Sequence, residues 1–359
     1  MTENDIRTTT TTDLSSMQET SVASVQLDSP LDSQETTWDS PDFSKWMGYY
    51  KKNPQLNQSI KQLATWTAGK GWKAENTATE VLLKRITGWG EDSFQSIMEN
   101  MIIMKKINGD AFAEIIRSKK GTLINLKPLN PSSIRIVVNK QGLISRYEEL
   151  NSQRKTKRTF QPQDIFHICN DRVGDEIHGE SVVAVCEPVI LRIEEASADY
   201  QRILHRSTIR VLYVDDDDIA VLQQLATQYK DAIEKGEVLI LPGKKTDMEL
   251  ENVNVPNLQP FLDWIRYQEN FFYQAVGVPR TMASPEGATE ASSKVGFLIF
   301  EPVYTKEQTL LEGDLWNQLG MKVTFNRPPS LQDNVQTDEA KNTSQTGFQP
   351  NDVQAGVGE

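Results

Sequence analysis

Two long stretches of the chain carry apolar residues at helical spacing. In the first, Val182, Cys186, Val189, Ile193, Ala196, Tyr200 and Ile203 recur at alternating steps of four and three. That spacing lays one apolar stripe along a helix, with Arg192, Glu194, Glu195, Asp199 and Arg202 mostly off it. Ser181 supplies an N-cap, and a helix to Ser207 would run ~40 Å at ~1.5 Å per residue. Pro188 removes one backbone bond inside the run, so a restart or slight kink is expected there. The second run, Leu258 to Val276, carries Leu258, Phe261, Leu262, Ile265, Phe272 and Ala275 at similar spacing and stops at Gly277-Val278-Pro279. A narrow stripe on a long helix packs on something beside it. The pattern leaves open whether that is a partner helix in an ordinary bundle core or a neighbouring subunit.

Ahead of these runs the period changes twice. Asp42 to Tyr50 is a short amphipathic lead-in with Trp46, and Leu56, Ile60, Leu63, Ala64 and Thr67 make a helix that ends at Gly69. A helix from about Asp92 to Ile107 is apolar nearly all round, which predicts burial. From Asp110 the period becomes two: Ala111–Arg117, Thr122–Lys127, Ser133–Val138, Leu143–Glu148 and Asp164–Ile168 read as strands of an α+β unit, mostly antiparallel. Between the long runs lie a strand at Ile209–Val214, the acidic turn Asp215–Asp218, a helix Ile219–Lys235 and a strand from Glu237 to Leu241. After the second run, Thr281 to about Lys294 reads as a loop. Its Ser284-Pro285-Glu286-Gly287-Ala288 centre has no apolar anchor and is expected to be mobile. Thr289 or Ser292 caps a further helix with Val295, Leu298 and Ile299, bent at Pro302 and continued by Leu310, Leu311, Leu315, Trp316 and Leu319 to Gly320.

Composition narrows the picture. The 38% hydrophobic content over 359 residues is modest, and the polar ends, 1–40 and 328–359, are read as disordered tails. A net charge of −12 argues against a surface that grips polyanions, though not against a channel that lets nucleic acid slide through. No run approaches eighteen apolar residues, so no membrane partner is expected. Cys169 and Cys186 give no disulfide framework, consistent with a reducing origin.

Candidate chemistry is thin. The acidic quartet Asp215–Asp218, with Asp216 at its centre, reads as a divalent-cation site or, better, as a solvated helix cap. Lys244-Lys245 reads as a partner contact or a solvated turn. His167, Cys169, His178 and Cys186 are zinc-type ligands without tight spacing, and Cys186 lies on the apolar stripe. Asp171, Asp175 and Glu176 allow a carboxylate-dependent hydrolase as an alternative function. Arg154-Lys155-Thr156-Lys157-Arg158 is the densest basic run and reads as a solvated hairpin tip. Neither a metal nor a cofactor is expected.

Several fragments in order carry a family resemblance. Asn108-Gly109-Asp110-Ala111-Phe112, Leu126-Lys127-Pro128-Leu129-Asn130-Pro131, Phe160-Gln161-Pro162-Gln163-Asp164-Ile165-Phe166-His167-Ile168, His178-Gly179-Glu180-Ser181, Gly277-Val278-Pro279 and Phe300-Glu301-Pro302 together resemble the tailed-phage portal proteins, the head-to-tail connectors. The resemblance covers roughly Asp42 to Pro328. It implies an α+β wing at 41–180, a first stem helix at 181–207, a small α/β clip at 208–257 and a second stem helix at 258–279. A tunnel loop at 280–294 and a kinked helix returning to the wing at 295–327 complete the set. By the same resemblance the chain forms a ring of twelve copies at one capsid vertex, through which double-stranded DNA is packaged and ejected. It is then not an enzyme, and it sits in the virion after assembly in the host cytoplasm. The implied partners are the terminase motor, the major capsid or scaffolding protein and a head-tail adaptor. The implied residues are Ser284, Glu286, Thr289, Glu290 and Lys294 facing DNA, and Val189, Ile193, Tyr200, Phe261 and Ile265 packing between subunits. Asp216, Lys244 and Lys245 would meet partners at the clip. No C-terminal crown is apparent.

Overall fold

The computed structural model describes residues 35–174, 176–206, 210–214, 219–228, 238–242, 250–252, 259–283 and 289–328. Helix α1 (Phe43–Lys52) leads directly into α2 (Pro54–Ala68), because the Asn53 carbonyl oxygen of the side chain accepts from Leu56 N at 2.9 Å and Pro54 takes the first turn, where no backbone donor is needed. Strand β2 (Trp72–Ala74) and helix α3 (Thr77–Lys84) follow. Neither is expected from the pattern, since three and eight residues are too few to display a period. Helix α4 (Phe94–Asn108) starts at a Ser93/Ser96 capping box. Its all-round apolar character has a simple cause: α4 is the wall between two cores. Phe94, Ile97, Met98, Met101 and Ile102 fill one, Ile107 fills the other, and Ile103 and Met104 touch both.

Beyond α4 the chain builds two antiparallel sheets. In the first, β3 (Asp110–Arg117) is central, flanked by β4 (Leu123–Leu129) and β8 (Ile165–Cys169). In the second, β5 (Ile134–Val138) and β6 (Ile144–Leu150) are central, with β7 (Thr156–Phe160) at one edge. The other edge is β1 (Thr36–Asp39), which pairs with β5 from Thr36↔Val138 to Asp39↔Arg135. This corrects the boundary of the N-terminal tail, placed at residue 40. Four residues of alternation inside a polar stretch are invisible as sequence, yet they meet an open sheet edge, and Trp38 packs on the core between the sheets.

The long helices come next. Helix α5 (Val182–Arg206) runs unbroken through Pro188, so the restart is not seen. Strands β9 (Arg210–Val214), β10 (Val238–Pro242) and β11 (Leu250–Asn252) form a small sheet in which β9 is parallel to β10 and antiparallel to β11, with helix α6 (Ile219–Gln228) beside it. Helix α7 (Gln259–Val276) ends at Gly277, whose φ of 77° lies where a side chain would be strained. The short α8 (Arg280–Ala283) precedes α9 (Glu290–Asp314), capped by Thr289 with Ser292 and continuous through Pro302. A π turn over Leu315–Leu319 and a left-handed Gly320 then deliver β12 (Val323–Phe325) to pair with β2. The kinked helix expected for 295–327 is thus one helix followed by a strand.

α5 and α7 lie side by side and antiparallel. Val183, Cys186 and Ile190 near the start of α5 share a core with Phe272 and Val276 near the end of α7, while Tyr200 stacks on Phe261 at the far end, 5.9 Å between ring centres.

Candidate functional site

Three of the six fragments that carry the family resemblance, those holding Gly109 and Asp110, His167, and Gly179 to Ser181, converge where the sheets meet α5. Gly109 closes α4 with a φ of 90°, and its N–H donates to Lys105 O at 2.8 Å. A Cβ placed on Gly109 would sit 2.0 Å from Gly179 O, and one on Gly179 would sit 2.3 Å from Gly109 O and 2.5 Å from Asn170 O. The two segments cross backbone against backbone, which is why both positions are glycine. Asn170 ties the crossing together. Its N–H donates to Gly109 O (2.7 Å), its carbonyl accepts from Glu180 N (2.9 Å) and its side-chain amide donates to Glu180 O (2.8 Å). Ser181, the expected cap of α5, accepts from Ala184 N at 3.2 Å and donates its hydroxyl to Ile107 O at 2.5 Å.

Behind this crossing is a buried polar relay. Asp110, fully enclosed, accepts from Gly179 N at 3.0 Å and lies 2.7 Å from His167 Nε2; His167 Nδ1 lies 3.0 Å from the Tyr147 hydroxyl. One proton assignment satisfies all three groups: Nε2–H donates to Asp110 Oδ1, and the tyrosine hydroxyl donates to Nδ1. Burial, reinforced by the Asp110 carboxylate, raises the Tyr147 pKa and keeps that donor protonated. With both ring nitrogens engaged, His167 is a structural histidine. Cys186 sits in the apolar core beneath α5, where burial pushes its thiol up to about 12. The zinc-type ligands are therefore not assembled around a common point, and among the described residues no group of three or more potential ligands converges.

Helix α9 is strapped to the same junction by charge. Lys105 Nζ lies 2.6 Å and Lys106 Nζ 2.7 Å from the two oxygens of Glu307, with all three side chains under 10% exposed, and Lys106 also donates to Asn170 Oδ1 at 2.7 Å. Burial alone would raise the Glu307 carboxyl, but the two ammonium groups reverse it and hold it below its ordinary range; burial lowers the Lys106 ammonium. Gln318 completes the strap, accepting from His167 N at 2.8 Å and donating to His167 O at 2.7 Å. Sequence reasoning missed this cluster. Two adjacent lysines on an otherwise apolar helix were the available signal.

The remaining sequence candidates are placed as follows. Val182 and Cys186 of the α5 stripe are buried, Val189 packs on the core beneath, and Ile193 and Ile265 are half-buried. Tyr200 and Phe261 face each other within one chain. On the outer side of α7, Trp264, Tyr267 and Phe271 form a ridge of touching rings that are 48%, 53% and 41% exposed. Sequence reasoning passed over them because they lie off the apolar stripe. Thr289 and Glu290 begin α9, and Glu290 pairs with Lys294 at 2.9 Å. Ser284, Glu286, Asp216, Lys244, Lys245 and Asp175 lie outside the described residues. Asp171 is held at 3.0 Å by Lys306 on the surface. The basic hairpin spends its charge on its own sheets: Arg154 binds Asp39 at 2.7 Å, while Arg158 bridges Glu149 and Glu114. Among the described residues no helix is long and apolar enough to cross a membrane.

Comparison with known proteins agrees with this geometry. The family model for the phage portal protein matches residues 59–297. Among solved structures, the chain is similar to one in the virion of the native gene transfer agent particle, at 18% identity and a TM-score of 0.63, covering 87% of this chain and 91% of that one. It is equally similar to a chain in the neck of that native particle computed with C12 symmetry, at 18% identity and 0.63, covering 88% and 92%. A HK97-family phage portal protein from Corynebacterium diphtheriae matches at 12% identity and 0.50, covering 76% and 92%. No curated protein matches. The family is structural and non-enzymatic, so the hydrolase alternative is set aside. With two thirds of its length matched by the family model, the chain belongs to the phage portal protein family.

Proposed function

We propose that this chain assembles as a closed ring at a particle vertex, with double-stranded DNA passing through its centre. In this reading the two sheets and α1–α4 are the wing, α5 and α7 the stem, the small β9–β11 unit the clip, and the segment between α8 and α9 a tunnel loop. The observation that carries the reading, beyond family membership, is the uncovered ridge Trp264–Tyr267–Phe271 along a two-helix stem. Large aromatic side chains left open on one side of a long helix call for a second surface, and heterologous contacts of that kind close into rings when the rotation allows. A similar chain occurs in a particle neck computed with C12 symmetry, which supports twelve copies here. Ile193 and Ile265, both half-buried, complete the contact with the neighbour, together with parts of Val189, Tyr200 and Phe261.

The chain's charge fits a channel rather than a grip. Each fixed phosphate contact would add salt-dependent affinity and slow sliding. At the head of α9 the Lys294 ammonium is matched by Glu290. Thr289, Glu290 and Lys294, with Ser284 and Glu286 before them, would line the narrow part of the path. The clip, through Asp216, Lys244 and Lys245, would meet the packaging motor and head-tail adaptor, and the wing the capsid or scaffold.

Assembly is tested by light scattering and negative-stain microscopy of the purified chain and of Tyr267→Asp. The wild type should form large rings, and the exposed-site variant should stay folded but fail to close them. Normal rings from Tyr267→Asp would overturn the ridge assignment, and a wild type that stays monomeric with DNA or scaffold present would overturn the ring. For the DNA path, removing Pro285–Ala288 should leave rings intact and reduce packaged DNA per particle; wild-type packaging would refute the tunnel-loop role.

A further inference from the structure

An apolar groove of about 360 Å³ opens between α1, α4 and the end of β4. Met47, Met104 and Leu129 line its floor, Trp89 forms one wall, and Lys51 and Asn130 sit at its mouth. The Trp89 wall is built to stand still. Asn125 Oδ1 accepts from Thr87 N (3.1 Å) and Gly88 N (2.9 Å), Asn125 Nδ2 donates to Gly88 O (2.9 Å), and Asp92 Oδ2 accepts from Trp89 N (3.1 Å). Yet the indole is 70% exposed, with Lys127 Nζ 4.3 Å from a ring centre. A fixed, uncovered tryptophan beside two methionines is a preorganised anchor site, since little ordering is left to do on binding. Neither Lys51 nor Lys127 has a carboxylate partner among the described residues. The groove therefore suits an extended segment that combines apolar and acidic side chains.

We infer that its occupant is the chain's own N-terminal segment Val25–Asp32. That stretch, Val25-Gln26-Leu27-Asp28-Ser29-Pro30-Leu31-Asp32, sets apolar side chains beside two carboxylates and carries no basic residue. It lies just ahead of the first described residue, Glu35, and the path is short. Thr36 pairs with Val138, while Pro131 at the groove lies beyond the other end of β5, a gap of roughly 20 Å across the strand at ~3.3 Å per residue and a 3-10 turn at ~2 Å. The extended chain back from Glu35 to Leu27, about 26 Å, covers that distance with room to turn. Leu27 and Val25 then reach the apolar floor, and Asp28 comes to Lys51 at the mouth and to Lys127 over the Trp89 ring. The segment 329–359 is also acidic, but the described chain ends beyond β12, which pairs with β2 and lines no part of this groove.

The test uses the full-length chain with a photo-crosslinking amino acid replacing Met47, and separately Leu129, in case one site perturbs folding. After irradiation, peptide mapping should find adducts to residues 25–32. Charge reversal by Lys51→Glu with Lys127→Glu should lower the adduct yield roughly fivefold, the loss of two surface charge contacts. Adducts only to residues 329–359 or to a different protein would overturn the assignment. So would the absence of adducts from both positions in a folded chain, or a yield unmoved by the charge reversal.

Discussion

Replacing Glu307 with Gln should unseat the strap between α9 and the sheet junction. The carboxylate is the shared counter-charge of Lys105 and Lys106, at 2.6 and 2.7 Å. At an effective dielectric of ~20, each contact is worth ~6 kcal/mol of gross attraction. Most of that offsets the desolvation of three buried charges, so the gross figure is not the loss. Breaking a buried pair while leaving its partner typically costs about 3–5 kcal/mol. An independent ceiling comes from proton release. A lysine stripped of its counter-charge can lose its proton, and doing so at pH 7 against an unperturbed pKa of ~10.4 costs at most about 4.6 kcal/mol for each of the two. The expected loss of about 3–5 kcal/mol lies below that combined ceiling and is a large part of a typical domain's stability. Urea titration followed by circular dichroism, at pH 7 and again at pH 9.5, reads the effect. The ceiling for each lysine falls by ~1.4 kcal/mol per pH unit, so the defect should shrink markedly at the higher pH. Adding Lys106→Met to Glu307→Gln should recover part of the loss, because it removes one of the two stranded charges. A pH-independent defect, or one below ~1 kcal/mol, would refute the account.

Three further outcomes follow from the junction. Gly179→Ala forces the crossing backbones apart and should cost about 3 kcal/mol or prevent folding; a thermal midpoint within a degree or two of wild type would show that the contact can relax. Tyr147→Phe removes the donor to His167 Nδ1 and should cost about 1–2 kcal/mol in urea titration, and a neutral result would mean that the nitrogen finds another donor. The Glu307 carboxyl is held below its unfolded pKa, so its stabilising share is complete above ~4.3 and is lost as pH falls through the folded value. The difference in melting temperature between wild type and Glu307→Gln should therefore vanish in strong acid, and a constant difference from pH 7 to pH 2 would contradict that origin.

Much of the framework is readable in the residues because it is local. Period-two runs mark β3 to β6 and β8, while β7 lies in the basic run read as a hairpin tip, and the caps at Ser181 and Thr289 announce α5 and α9 within a residue or two. What hides is whatever depends on a distant partner. β1 is four residues long and exists because the β5 edge is open to it, and β2 and β12, three residues each, exist because the chain brings them together to pair with one another. Pro188 and Pro302 do not interrupt their helices, since packing against α7 and the core outweighs one missing backbone bond. The candidate site divides in the same way. Gly109, Asp110, His167, Gly179 and Ser181 stand out as motif residues, but only the fold shows that they meet, and Glu307 lies more than 200 positions from Lys105 and Lys106.

The Gly109–Gly179 crossing also says how force would travel. Side-chain contacts are springs, because a rotamer can yield by an ångström without moving its backbone. Here main chain bears on main chain with no room for a single added carbon, and Asn170 pins both strands of the crossing. The joint has little compliance of its own. Torque applied along α5 would be delivered undiminished to β3 and β8, and any bending under load would have to be taken up elsewhere in the chain.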